Sequence, residues 1–113
     1  MKKHKMKVKE PYFGMLQCGK KTIELRLFDE KRREINVGDE IKFVCFENDE
    51  KFFISKVIKL YKARNFKELC NQFDCLKAGF INKEELICVL DEFYSEEMQE
   101  KFGVIGIEVV KIG

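Results

Sequence analysis

One histidine, one proline and the absence of any long apolar run define what this 113-residue sequence has little of. A Cys–His or Ser–His–Asp catalytic arrangement would have to run through His4, which sits among lysines rather than beside a nucleophile. A single proline and seven glycines leave little material for a disordered, collagen-like or low-complexity segment. No apolar run approaches the roughly 20 residues needed to span a bilayer. The basic start (Lys2, Lys3, Lys5, Lys7, Lys9) is not followed by the apolar stretch of a signal peptide. The five cysteines (Cys18, Cys45, Cys70, Cys75, Cys88) are odd in number and form no Cys-x-x-Cys pair, unlike a disulfide scaffold. Cys70 and Cys75 lie closest together and have no histidine nearby, so no metal or cofactor is expected. These absences point to a cytoplasmic protein with reduced thiols and no membrane partner.

What is present is a core. Hydrophobic residues make up 45% of the chain and include 11 phenylalanines, enough for one domain over residues 1–113. Net charge is only +2, but it is unevenly placed. Residues 1–33 hold eleven bases against four acids, about +7, and residues 84–100 hold seven acids and no base, about −7. Such polarity steers an anionic partner to one side of a small domain, or simply reflects solvated faces. A third reading makes the acidic segment a docking face for a basic protein.

Periodicity orders the elements. Met6 and Val8 alternate with lysines as a short strand. A helix over 10–18 follows, with Pro11 in its first turn, Tyr12, Met15 and Leu16 on one face, and Gly19 as its stop. Ile23, Leu25 and Leu27 alternate with Thr22, Glu24 and Arg26, the pattern of a strand with one face buried. Turn residues Asn36 to Asp39 precede a strand carrying Ile41, Phe43 and Cys45. A hairpin turn at Glu47 to Glu50 leads into a long run, Phe52 to Lys62, in which neither face is cleanly polar, so a bulge or a strand bending round a barrel is expected. A helical insertion comes next. Asn65 caps a helix carrying Phe66, Leu69 and Phe73, Asn82 caps another, and Ser95 opens a third that stops at Gly103. A closing strand, "VIGIEVVKI", contains Gly106, read as a site of close approach by another backbone. The expected fold is α+β and β-rich: five to six mixed strands curled into a small barrel with about three short helices at the rim.

The stretch "GKKTIELR" concentrates charge. With Ile23, Leu25 and Leu27 turned into the barrel, Thr22, Glu24 and Arg26 share the opposite face, and Lys20 and Lys21 can lean over it. Alternation alone reads this face as solvated, its Glu–Arg pair worth little. The same groups are also suited to grip phosphate, through arginine's fork and lysine's compact charge.

Gly19, Lys21, Glu24 and Arg26 fit a Gly-x-Lys-x-x-Glu-x-Arg motif, and by it the sequence resembles the ASCH domain family of the PUA-like superfamily. The similarity extends through "VKEPYFGMLQCGKKTIELRL", "KRREINVGDEIKF" and "FYSEEMQEKFGVIGIEV", essentially the whole chain. The resemblance implies a PUA-type barrel with a cleft beside it that binds RNA, a nucleotide or a modified nucleoside. It would place Gly19, Lys20, Lys21, Thr22, Glu24 and Arg26 at the ligand, Lys21 and Arg26 on phosphate or a base edge, and Glu24 holding them or reading an amino group. Tyr12 and Tyr94 would supply stacking faces. Some relatives are enzymes, one branch hydrolysing N4-acetylcytidine and another described as a ribonuclease. In that case Lys21 and Glu24 would be the catalytic pair. Lys21 matches the lysine of the amidohydrolase branch, whereas Glu24 stands where that branch has threonine.

Overall fold

The computed structural model describes residues 1–113 and begins with the alternating lysine stretch as strand β1 (Lys3–Val8), Met6 and Val8 turned inward. Helix α1 (Tyr12–Cys18) follows and buries Phe13 and Leu16. Gly19 ends it at φ 85°, a left-handed conformation that glycine adopts without a Cβ clash. Strand β2 (Ile23–Leu27), strand β3 (Glu40–Cys45) and the twelve-residue β4 (Phe52–Ala63) come next. The helical insertion comprises α2 (Phe66–Leu69), a 3₁₀ turn over Cys75–Ala78, α3 (Lys83–Phe93) and α4 (Glu96–Phe102). Strand β5 (Val104–Lys111) completes the sheet. The side chains of Asn65, Asn82 and Ser95 each accept the backbone N–H three residues on, capping α2, α3 and α4.

The strands form one mixed sheet in the order β1-β3-β4-β5-β2. β1 runs parallel to β3, and the other neighbours are antiparallel. The sheet curls into a half-barrel, as the β-rich α+β reading expects. Its edge strands β1 and β2 face each other without a backbone ladder between them, so curling alone leaves an open seam. The bulge expected in the long strand lies between Val57 and Lys59. It flips the alternation, so that Phe53 and Val57 point to one core while Tyr61 points to the other.

Two cores flank the sheet. The concave side gathers Met6, Val8, Phe13, Phe43, Phe53, Ile105 and Ile107 among others. The convex side, roofed by the helical insertion, gathers Ile23, Leu25, Leu27, Tyr61, Phe66, Leu69, Leu86 and Leu90. Burying each of these large side chains contributes about 1.5–3 kcal/mol.

This layout reverses one expectation. Ile23, Leu25 and Leu27 do not fill the barrel but pack beneath the inserted helices. Glu24 and Arg26 stand opposite Ile107 and Ile105 in the β2–β5 register and therefore share the concave face. That face is not solvated: Glu24 is 6% exposed. Two smaller corrections follow. α2 stops at Leu69, and Phe73 lies beyond it, edge-on to Tyr61 at 5.2 Å. Gly106 admits side chains rather than a backbone, since a Cβ there would stand 3.3–3.4 Å from Ile23, Leu25 and Phe73.

Candidate functional site

The open seam between β1 and β2 holds a cleft of about 270 Å³. The end of β1 (Lys7, Val8) with Lys9 and Glu10 lines it from one strand edge, and Lys21, Glu24, Leu25 and Arg26 line it from the other. Tyr12 and Phe80 also line it, α3 contributes Val89, Leu90 and Phe93, and Tyr94 and Phe46 complete it.

Local structure explains how Lys21 comes to face it. After the Gly19 stop the chain folds back, and the Lys21 N–H donates to the Met15 carbonyl at 3.0 Å. Its side chain then runs inward past Gly79, where a Cβ would meet Lys21 Cδ at 3.2 Å. Gly79 itself lies at φ 89°, so glycine serves there both for backbone conformation and for space. The Lys21 ammonium, 3% exposed, donates to the Ala78 carbonyl at 2.8 Å and pairs with Glu24 Oε1 at 3.2 Å. It also lies 5.4 Å from the centre of the Tyr12 ring and 5.9 Å from that of Phe80.

Glu24 joins the two cations. Its Oε2 accepts from Arg26 Nε at 2.9 Å and lies 2.8 Å from Arg26 Nη2, while Nη2 also donates to the Lys7 carbonyl at 2.6 Å. Burial works against the Glu24 carboxylate, but the charges and hydrogen bonds of Lys21 and Arg26 outweigh it and hold its pKa below the ordinary value. Burial lowers the Lys21 pKa, with Glu24 opposing. For Arg26, burial is overcome by Glu24, and the guanidinium stays charged. Two cations and one anion therefore leave one net positive charge on the floor of a mostly apolar cleft. Arg26 Nη1 has no acceptor within the protein, and Lys21 has one N–H beyond its two partners.

Both tyrosines of the sequence reading line the cleft, each backed by a phenylalanine: Tyr12 by Phe80 at 5.6 Å and Tyr94 by Phe66 at 5.5 Å. Neither hydroxyl finds a partner in the protein, and burial raises both pKa values. Gly19, Lys20 and Thr22 do not line the cleft. Gly19 and Lys20 are exposed, and Thr22 uses its N–H on the Lys77 carbonyl. Sequence reasoning missed Ala78, Gly79 and Phe80, which come from the insertion and meet Lys21 only through the fold. It also missed Phe46 and Phe93, whose rings lie 5.0 and 5.8 Å from the Lys9 ammonium at the cleft mouth. Buried Gln99 positions this corner too, accepting from the Phe66 N–H and donating to the Tyr94 carbonyl. The acids of α3 and α4 face outward, with Glu85 alone half-buried.

The family model of the ASCH domain matches residues 6–113. The solved structure of hypothetical protein PH0355 superposes with a TM-score of 0.85 at 37% identity, covering 97% of this chain and 99% of that one. Protein PF0455 from Pyrococcus furiosus gives a TM-score of 0.74 at 32% identity, covering 97% of each chain. A mutant ASCH protein from Zymomonas mobilis shares the fold, with a TM-score of 0.70 at 12% identity over 99% of this chain and 74% of that one. No curated protein matches. No helix is long and apolar enough to cross a membrane.

Proposed function

The chain belongs to the ASCH domain family, and from that premise we propose that it binds single-stranded RNA or a nucleotide by taking one base into the seam cleft. ASCH domains share the PUA-like fold, which is generally thought to bind RNA. One observation carries the reading here: a Lys21–Glu24–Arg26 triad with a net positive charge floors a cleft whose walls are aromatic. Aromatic faces stack any base, and a buried cationic floor selects the carbonyl and ring-nitrogen acceptors at its edge. At about 270 Å³ the cleft falls just below the roughly 300–1,000 Å³ typical of drug-sized ligands, which suits a single base. Both Glu24 oxygens are already engaged, so its role is to hold the two cations rather than to read an amino group.

The test exploits the exposed mouth, because removing Lys21 or Arg26 takes a partner from buried Glu24 and changes stability together with binding. Phe46 and Phe93 are more than half exposed. The double variant Phe46→Ser/Phe93→Ser is expected to melt like the wild type and to bind a mixed-sequence single-stranded RNA about tenfold or more weakly, consistent with about 1–3 kcal/mol per stacked base. Fluorescence anisotropy measures this. Absence of RNA binding by the wild type, or unchanged affinity in the variant, sinks the reading.

One observation favours the hydrolytic alternative: burial lowers the Lys21 pKa, as a lysine acting as base or nucleophile requires. Incubation with N4-acetylcytidine decides it. Release of cytidine, or cleavage of short RNAs supplied in its place, that Lys21→Met abolishes would establish turnover, and neither product leaves binding alone.

A further inference from the structure

Beside the aromatic cleft lies a second cavity of about 390 Å³, lined by Lys5, Met6, Lys7, Arg26, Lys31 and Arg32. Five of these six residues are cations, and no carboxylate lines the space. Lys5, Lys7 and Lys31 belong to none of the ion pairs of the protein. Arg32 reaches Asp29 through Nη1 at 3.1 Å, yet its Nε is buried without any hydrogen-bond partner. An orphaned buried donor is unfavourable, and like charges gathered in one concavity repel. The repulsion is relieved by an anion with several acceptor oxygens.

Position makes the anion specific. The two cavities share Lys7 and Arg26, so one guanidinium stands in the wall between an aromatic slot and a cationic basin. Arg26 is fixed there by Glu24 and the Lys7 carbonyl, which leaves Nη1 for a ligand. We propose that the cationic basin holds the phosphate of the nucleotide whose base enters the aromatic cleft. The proposal rests on the base-binding reading above and adds its phosphate site, with Lys5, Lys31 and Arg32 as residues serving the phosphate alone. Arginine forks and lysine ammoniums are the usual donors to phosphate oxygens.

The four ribonucleosides and their 3′- and 5′-monophosphates are titrated against the wild type and against Lys5→Gln/Lys31→Gln by calorimetry and amide NMR. Both lysines are exposed and unpaired, so the variant is expected to melt like the wild type. The wild type is expected to bind at least one monophosphate about tenfold or more tightly than its nucleoside, a gain of about 1.4 kcal/mol. In the variant that gain falls to about twofold or less with nucleoside affinity unchanged. Equal affinity for nucleoside and monophosphate in the wild type, or a gain that survives in the variant, overturns the proposal. If no nucleoside or nucleotide binds, the base cleft fails, and inorganic pyrophosphate decides the basin alone. Saturable shifts at Lys5, Lys31 and Arg32 that disappear in the variant support an anion site, and their absence overturns it.

Discussion

The Arg26 guanidinium donates to the main-chain carbonyl of Lys7 at 2.6 Å, bridging two strand edges that no backbone ladder joins. One side chain thus does at the seam what strand pairing does elsewhere in the half-barrel, and it holds open a cleft that continuous pairing would fill.

Arg26→Lys keeps the charge but loses the fork that serves Glu24 and Lys7 together. It is expected to cost about 1–2 kcal/mol in urea unfolding, since the Lys7 carbonyl can turn to water. Hydrogen exchange should quicken at the amides of β1 and β2, with β4 and β5 nearly unaffected. Uniform quickening across the sheet would show that the bridge has no local role.

Removing the anion of the triad should hurt more than removing a cation. Glu24→Gln leaves Lys21 and Arg26 buried side by side without their shared partner, expected to cost about 3–5 kcal/mol. Lys21→Met preserves the stem among Met15, Tyr12 and Phe80 and leaves the Glu24–Arg26 pair intact, so its cost should be smaller, about 1–2 kcal/mol. Thermal and urea unfolding of both variants, with the double variant to close the cycle, checks the order. A costlier Lys21→Met would contradict the charge argument.

Gly79→Ala places a Cβ 3.2 Å from Lys21 Cδ and 3.3 Å from Met15 Cε on a backbone at φ 89°. The expected loss is about 1 kcal/mol or more, from the left-handed conformation alone. Displacement of Lys21 adds a second signature, altered NMR shifts at Tyr12 and Phe80. A variant as stable as the wild type with unmoved aromatic resonances would refute it.

The pH dependence of stability should be governed at the acid end by Asp39 and Glu24. Asp39 accepts from His4 Nε2 at 2.8 Å and from the N–H groups of Lys2 and Asn36. The His4 hydrogen bond first, then those backbone donors, hold its pKa at about 2 against the usual 3.8. A depressed folded pKa contributes stability above the unfolded value, and that contribution disappears as pH falls from about 4 through about 2. Glu24, also lowered, acts in the same direction. Asp39→Asn should therefore flatten the decline in urea midpoint between pH 4 and 2 while lowering stability at neutral pH. An unchanged slope would rule out the Asp39 contribution.

Much of this was legible in the chain. Asn65, Asn82 and Ser95 announce helix starts, and Gly19 and Gly103 announce stops, because capping needs specific side chains or the freedom of glycine at single positions. The mixed polarity of Phe52 to Lys62 signalled a bulge or a bending strand, and the register settles it as a bulge. The spacing of Lys21, Glu24 and Arg26 put three charges within reach of one another. Ala78, Gly79 and Phe80 gave no comparable signal, because nothing in their local pattern tells of a lysine 57 residues earlier. Phe46 and Phe93 read as ordinary apolar residues until the hairpin and α3 bring them to one opening.

By itself, then, the sequence determined the order of the strands and helices, the caps that start and stop most of the helices, and the family, since each follows from short-range rules of periodicity, capping and motif spacing. Only the tertiary structure decided which face of β2 is which. Period-two alternation separates two faces but cannot say which one the helical insertion will roof. Once the apolar face was taken by α2 and α3, Glu24 and Arg26 were left on the concave side. Burial there turned an ordinary surface pair into a fixed charged floor, because charges withdrawn from water must find partners in one another.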